Sequence, residues 1–194
     1  MGFTIVSVKE VSAPFKQSER FSASVLLFCQ NPNNQTTDCI LLLQRARFGQ
    51  DENGQKKENS WALSWEPPGG GYEPTDSTLL ETAIRETKEE TGLEVQPSSH
   101  EAYKETFVHK GMRMTRYTII ADVDTNHGSI KLRADEHLAF HWATEEEVRN
   151  SLPYDDKNFG EGPLVMLPNK KDMILDAFEK RKVAKETEGA GCCS

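Results

Sequence analysis

From Pro67 to Val95 the chain reads PPGGGYEPTDSTLLETAIRETKEETGLEV, and this stretch constrains the fold most because it spells out both ends of one helix. Thr78 with Glu81 three residues on forms a capping box, and Thr91-Gly92 forms a stop, so the spacing predicts a helix from Thr78 to Thr91. At roughly 100° per residue, Leu80, Ala83, Ile84, Thr87 and Thr91 share one face, and Glu86, Glu89 and Glu90 gather on another. The first face packs. The second brings like charges together, which destabilises a helix by roughly 0.2–0.5 kcal/mol for each pair three or four residues apart. Helix geometry alone leaves two explanations open. One is a hard divalent cation, Mg²⁺ or Mn²⁺, coordinated by the carboxylates. The other is a solvated acidic face balanced by Arg85 and Lys88. Ahead of the helix, Gly69, Gly70 and Gly71 allow positive φ angles and a close approach of backbone to a ligand.

The rest of the chain supplies a sheet around this helix. Residues 21–29 (FSASVLLFC) and 39–48 (CILLLQRARF) are β-rich apolar runs on either side of the turn-forming QNPNNQTTD, which reads as a hairpin. Residues 49–60 (GQDENGQKKENS) are a polar excursion, read as a solvated loop that can also overhang a ligand. Residues 101–109 and 116–123 predict two further strands, and the alternation of Leu138, Phe140 and Trp142 another. Thr144 with Glu147 is a second capping box, opening a short helix. Three prolines make residues 153–169 an irregular connection. Met173, Ile174, Ala177 and Phe178 then recur at helical spacing. The pattern predicts an α/β sandwich, one helix on each side of a mixed sheet. Residues 1–180 are expected to form a single domain, and 181–194 a charged, flexible tail.

A length of 194 residues suits one core without disulfides, and 36% hydrophobic with 28% charged residues suits a globular chain. The net charge of −8 argues against a nucleic-acid backbone as partner, so a polyanionic ligand needs local help from a metal or placed arginines. A small-molecule partner is expected. No signal peptide or membrane-spanning run is legible, which reads as a cytoplasmic or nuclear protein. Cys29, Cys39, Cys192 and Cys193 fit no disulfide framework or zinc site and read as reduced thiols, with a lipid site at the paired tail cysteines as the alternative.

The Arg85 to Leu93 stretch resembles the second half of the Nudix box: Arg-Glu, an apolar residue, any residue, Glu-Glu, any residue, Gly and an apolar residue. Only Thr87 departs there, standing at the apolar position. In the first half the family's Glu, seven residues before the Arg, falls on Ser77. A one-residue shift pairs Gly70 with Asp76 instead, and the capping box at Thr78 favours placing the extra residue in the loop, where Asp76 can do the missing Glu's job, with Ser77 the alternative. The flanks LLLQRAR, WEPPGGG and DEHLAFHW are also similar to the family, so the likeness spans about residues 21–150.

The resemblance implies a Nudix-type α/β/α sandwich around a mixed β-sheet. It also implies metal-dependent hydrolysis of a phosphoanhydride in a nucleoside diphosphate linked to another group, a nucleoside triphosphate or nucleotide conjugate. It makes Glu86, Glu89 and Glu90 the ligands of Mg²⁺, with Mn²⁺ an alternative, Arg85 the brace of the catalytic Glu, and Glu136 a further ligand or general base. His137 beside it reads as a packing or hydrogen-bonding residue. Arg45, Arg47, Gly70, Gly71 and Trp65 are the expected substrate contacts, with Trp61 and Tyr72 as further stacking candidates. Positions 109–111 (His-Lys-Gly) lack the Tyr of diadenosine polyphosphate hydrolases, which turns the expectation away from that subclass. Two other readings remain: a Nudix-fold nucleotide-binding module without catalysis, and an isoprenoid diphosphate isomerase.

Overall fold

A computed structural model describes residues 2–13, 20–31, 34–50, 54–109, 111–124, 130–155 and 164–190. In chain order the elements are β1 (Phe3–Ser7), α1 (Val8–Val11), β2 (Arg20–Asn31), β3 (Asn34–Arg45), β4 (Phe48–Gln50), β5 (Lys56–Glu58), β6 (Trp65–Glu66) and β7 (Gly69–Gly71). They continue with α2 (Leu79–Thr91), β8 (Pro97–His109), β9 (Met112–Asp122), β10 (His137–Thr144), α3 (Glu145–Arg149), β11 (Leu152–Pro153), β12 (Val165–Met166) and α4 (Pro168–Ala190). The main sheet runs β1-β8-β9-β2-β3-β10, with β6 on β3 and β7 on β2. It is mixed, because β2 and β9 pair in parallel while β2 and β3 form the expected antiparallel hairpin.

Alternation along β2 assigns the two faces of the sheet. Ala23, Val25 and Leu27 turn to one side, with Leu41 and Leu43 of β3 and with Leu79 and Ala83 of α2. Leu26 and Phe28 turn to the other, with Ile40 and Leu42, Val148 of α3 and Met173, Ile174, Ala177 and Phe178 of α4. Each large apolar side chain fully buried in this way stabilises the fold by roughly 1.5–3 kcal/mol, so these four α4 residues fix the helix to the sheet. The result is the α/β/α sandwich read from the sequence. Among the described residues, no helix is long and apolar enough to cross a membrane.

Three features correct the sequence reading. The charged segment after 180 is not a loose tail: α4 continues through Ala190. Arg181 pairs with Asp38 and, at 2.7 Å, with Asp122, and Lys185 pairs with Asp38 at 2.8 Å, so an acid of β3 and one at the end of β9 hold the extension down. Residues 191–194, with Cys192 and Cys193, lie outside the described residues. The polar excursion contains a small hairpin, β4 against β5. The irregular connection contains the parallel pair β11 and β12. The strand expected over Leu138, Phe140 and Trp142 is β10, on which Leu138, inside a register shift between His137 and Ala139, and Phe140 stay 56% and 42% exposed.

One topological detail positions the site. Strands β2 and β3 pair at Phe28↔Ile40, Cys29↔Cys39 and Gln30↔Asp38, then part company. In the opening, β7 pairs Ser22–Ser24 and β6 pairs Leu43 and Gln44, while the Val25 amide donates to Pro68 at 2.9 Å. The glycine segment is therefore wedged into the sheet.

Candidate active site

Both ends of α2 are as the spacing predicts. Thr78 accepts from the Glu81 amide at 3.1 Å, and Gly92 closes the helix in the left-handed conformation at φ 76°. Glu81 reaches back to the amide of Ser77 at 2.6 Å, one residue earlier than a standard capping box. Thr82, Thr87 and Thr91 all lie on the buried face. Thr87 can take a position where the box has an apolar residue because its hydroxyl donates to the Ala83 carbonyl at 2.8 Å, leaving no unsatisfied group behind.

Asp76, not Ser77, answers for the box Glu. Arg85 grips it with two bonds, Nε to Oδ1 at 2.9 Å and a terminal nitrogen to Oδ2 at 3.0 Å. The Thr82 hydroxyl and the Glu73 amide donate to the same carboxylate at 2.9 and 3.0 Å. Burial pushes the Asp76 carboxyl up, but the Arg85 guanidinium and the two other donors outweigh it and hold it below the usual range. Arg85 also donates to the Gly71 carbonyl at 3.0 Å and approaches Glu86 at 3.1 Å and Glu89 at 3.4 Å. It thus links the glycine strand, the loop acid and two box carboxylates.

The three box carboxylates differ in environment. Glu89 is open to solvent, with its side chain 41% exposed, whereas Glu86 and Glu90 are 8% and 3% exposed. Burial pushes the Glu86 carboxyl to about 7 against the pull of Arg85, and burial pushes Glu90 to about 9 although the Gly69 amide donates to it at 2.8 Å. The acidic face of α2 is therefore not a solvated surface: burial raises two of its three acids well above the usual carboxylate range, Glu90 further than Glu86.

The glycines serve this arrangement directly. A Cβ on Gly69, where φ is 152°, would lie 2.4 Å from the Ala23 carbonyl oxygen, and one on Gly70 would lie 2.4 Å from the Glu86 carboxyl. Their close approach is to strand β2 and to a box carboxylate. Gly69→Ala should accordingly destabilise the fold by about 3 kcal/mol or more, a fall in Tm of roughly 6–12 °C. Gly71→Ala, where no atom lies within 4 Å of the new Cβ, should leave the melting curve within about 0.5 kcal/mol of the parent.

These groups line a cavity of about 490 Å³ that also receives Arg45, Glu73, Asn59, Gly49, Arg133, Asp135, Glu136 and His137. Arg45 is paired with the buried Glu66, whose carboxyl burial would raise but which Arg45, Arg116 and Lys170 hold down at about 2. The loop bearing Glu136 is tied to the end of α2 by the Lys131 amide on Thr91 at 2.9 Å, and to β3 by the Ala46 amide on the Glu136 carbonyl at 2.7 Å. One ligand atom each from Glu90, Glu136 and His137 lies within 4.8 Å of the other two.

The structure thus brings together Arg45, Gly70, Gly71, Glu86, Glu89, Glu90 and Glu136 around the cavity, with Arg85 behind them on Glu86, Glu89 and Gly71. Two expected substrate contacts are corrected. Trp65 pairs with Gln44 and packs on the α4 side, lining a separate cavity with Phe140 and His141. Arg47 points along the β4–β5 hairpin, where it meets Glu58 at 3.2 Å. Sequence reading missed Arg133, which bridges Glu136 at 3.2 Å and Glu89 at 3.5 Å. Its place three residues before Glu136 was the available signal. The reading also missed Glu66, because no local pattern marks a buried partner for Arg45.

Comparison with known proteins agrees with this geometry. The NUDIX domain model matches residues 20–164. A mouse protein, the asymmetrical bis(5'-nucleosyl)-tetraphosphatase, is 35% identical over 87 residues, which cover 43% of this chain and 58% of the mouse protein. A Caenorhabditis elegans Ap4A hydrolase binary complex superposes with a TM-score of 0.54 at 18% identity, over 83% of this chain and 98% of that one. A MutT/nudix protein from Enterococcus faecalis gives 0.56 at 17% identity, over 87% and 64%. These structural likenesses speak to the fold, and the matched domain, spanning the glycine strand, α2 and the Glu136 loop, makes this chain a member of the NUDIX family.

Proposed function

We propose that the chain is a divalent-metal-dependent pyrophosphohydrolase that cleaves a phosphoanhydride bond in a nucleoside diphosphate linked to another group. The observation that carries the reading is the pair of buried carboxylates, Glu86 and Glu90, facing one polar cavity with Glu89 and Glu136. Burying such acids is unfavourable unless a cation finally compensates them, and an all-oxygen set fits a hard divalent ion. Glu86, Glu89, Glu90 and Glu136 would hold it. When bound, Mg²⁺ or Mn²⁺ supplies charge neutralisation and Lewis acidity at the diphosphate.

The chain's own residues do the rest. Arg85 fixes Glu86 against Gly70 and Gly71. Arg45, locked by Glu66, presents positive charge to the phosphates from the end of β3. Arg133 spans Glu89 and Glu136 at the rim and is placed to meet a further phosphate. A neighbouring cavity of about 360 Å³ holds Trp61 and Phe107, whose ring centroids are 6.5 Å apart. Trp61 belongs to the same loop as Asn59 of the acid cavity, so it offers a stacking wall for a base whose phosphates lie among the carboxylates.

The mouse relative's name makes a dinucleoside tetraphosphate the first substrate to try, although residues 109–111 argue otherwise from sequence. A screen with Mg²⁺ or Mn²⁺ over dinucleoside polyphosphates, ADP-ribose and nucleoside triphosphates should release a mononucleotide product from at least one class, and EDTA should abolish it. Tight nucleotide binding with no product across the panel would favour the binding-module reading.

A further inference from the structure

We infer that His137 supplies a nitrogen donor to the cation held by Glu90 and Glu136, so that this site favours Mn²⁺ and Co²⁺ over Mg²⁺ more strongly than carboxylates alone would. The inference rests on the metal-dependent reading above.

His137 opens β10 and is 3% exposed, yet its ring has no hydrogen-bond partner among the described residues. Its Nδ1 is buried without one, and its Nε2 stops 3.7 Å from the Glu90 Oε1, too far for a hydrogen bond. Buried imidazoles nearly always satisfy their ring nitrogens, so a ring whose Nε2 faces the Glu90 carboxyl at the wall of a polar cavity without bonding it points to a missing partner on that nitrogen. The packing or hydrogen-bonding role read from the sequence accounts for the burial but not for the orphaned nitrogen.

The backbone aims the ring deliberately. His137 pairs with Arg45, and the register then slips before Ala139, a bulge of the kind that redirects a side chain next to a site. The amide of His137 is fixed on the Arg133 carbonyl at 2.9 Å. Glu90 approaches from the far end of α2 and Glu136 from the preceding residue, which leaves one ligand atom from each of the three within 4.8 Å of the others. An ion seated there meets two carboxylates and one imidazole. Imidazole binds Mg²⁺ poorly and later divalent metals progressively better, so the nitrogen biases selection among cations that carboxylates treat alike.

Pulsed EPR on the full chain loaded with Mn²⁺ alone tests this. The expected spectrum shows ¹⁴N modulation from a coordinated imidazole, absent in His137→Gln and retained in His141→Gln, whose ring faces Glu147 elsewhere. Competition binding should show His137→Gln losing about tenfold in Mn²⁺ and Co²⁺ affinity and less than about twofold in Mg²⁺ affinity. If His137→Gln does not fold, the parent and His141→Gln spectra decide the matter, with His137→Asn as the second variant. Saturable Mn²⁺ binding without ¹⁴N modulation, or modulation that survives loss of His137, overturns the nitrogen donor and leaves the carboxylate site standing. Absence of saturable Mn²⁺ binding overturns the metal-dependent reading itself.

Discussion

Glu90→Gln should reduce metal-dependent hydrolysis by about a thousandfold or more while making the metal-free protein more stable at pH 8. The first effect follows from removing a ligand to a cation expected to supply several kcal/mol of transition-state stabilisation, each 1.4 kcal/mol being about tenfold in rate. The second follows from the carboxyl held at about 9 in the folded chain. Because that value lies above the unfolded one of 4.5, the favourable contribution of the protonated acid is fully present below pH 4.5. It is lost as pH rises toward 9. Gln keeps the acceptor for the Gly69 amide and never ionises, so the variant escapes this loss. The expected difference in unfolding free energy is near zero at pH 4.5 and roughly 3–5 kcal/mol in favour of the variant at pH 8. Lys170 and His137, which burial lowers to about 7 and about 4, shape the absolute profile. They titrate in both proteins, so the difference reports Glu90 together with Glu86, whose charge acts on it. Saturating Mn²⁺ should reverse the order. Denaturant titrations at the two pH values read it directly, and a variant no more stable at pH 8 than the parent would refute the buried-acid account.

Asp76→Ala should destabilise the protein by about 2–4 kcal/mol and lower kcat by about 10–100-fold with only a small change in metal affinity, whereas Ser77→Ala should be close to silent. Asp76 receives two bonds from Arg85, one from Thr82 and one from the Glu73 amide, and its loss strands a half-buried guanidinium. Ser77 contributes only its amide, to Glu81, and that survives replacement of the side chain. The Asp76 carboxyl is held below 3.8, so its contribution is present above that pH and is lost as pH falls through the folded value. The parent's advantage over Asp76→Ala should therefore shrink in acid. Calorimetry at neutral and acidic pH, with steady-state kinetics, separates the two positions. Equal effects at 76 and 77 would mean that the helix cap, rather than the acid, matters.

These expectations show what was legible in the sequence. The limits of α2 were, because capping is written in neighbouring residues and depends little on distant packing. The extra residue in the loop was legible too, since the cap at Thr78 left no room for it in the helix; that Arg85 holds Asp76 rather than Ser77 took the structure to see. The unequal burial of Glu86, Glu89 and Glu90 was not, because helical periodicity gives a face but not what covers it. Here Gly69 and Gly70 cover it. Trp65 misled because its neighbour in sequence enters the glycine loop, while its own side chain falls on the opposite side of the sheet. The helical extension to Ala190 was hidden because Asp38, which anchors it, lies 143 residues from Arg181. His137 looked ordinary beside Glu136, and only its unpartnered nitrogen sets it apart.

The parting of β2 and β3 has a consequence for how such a chain can diversify. The glycine strand that seats Glu86 and Glu90 shares its hydrogen bonds with the central sheet, so the reactive centre cannot loosen without partial unfolding, and its amides should exchange as slowly as those of the core. The β4–β5 hairpin is different: among the described residues it reaches the cavity at Gly49 and the adjoining Asn59. Inheritance can therefore rewrite the hairpin without touching the glycine strand that the sheet holds in place.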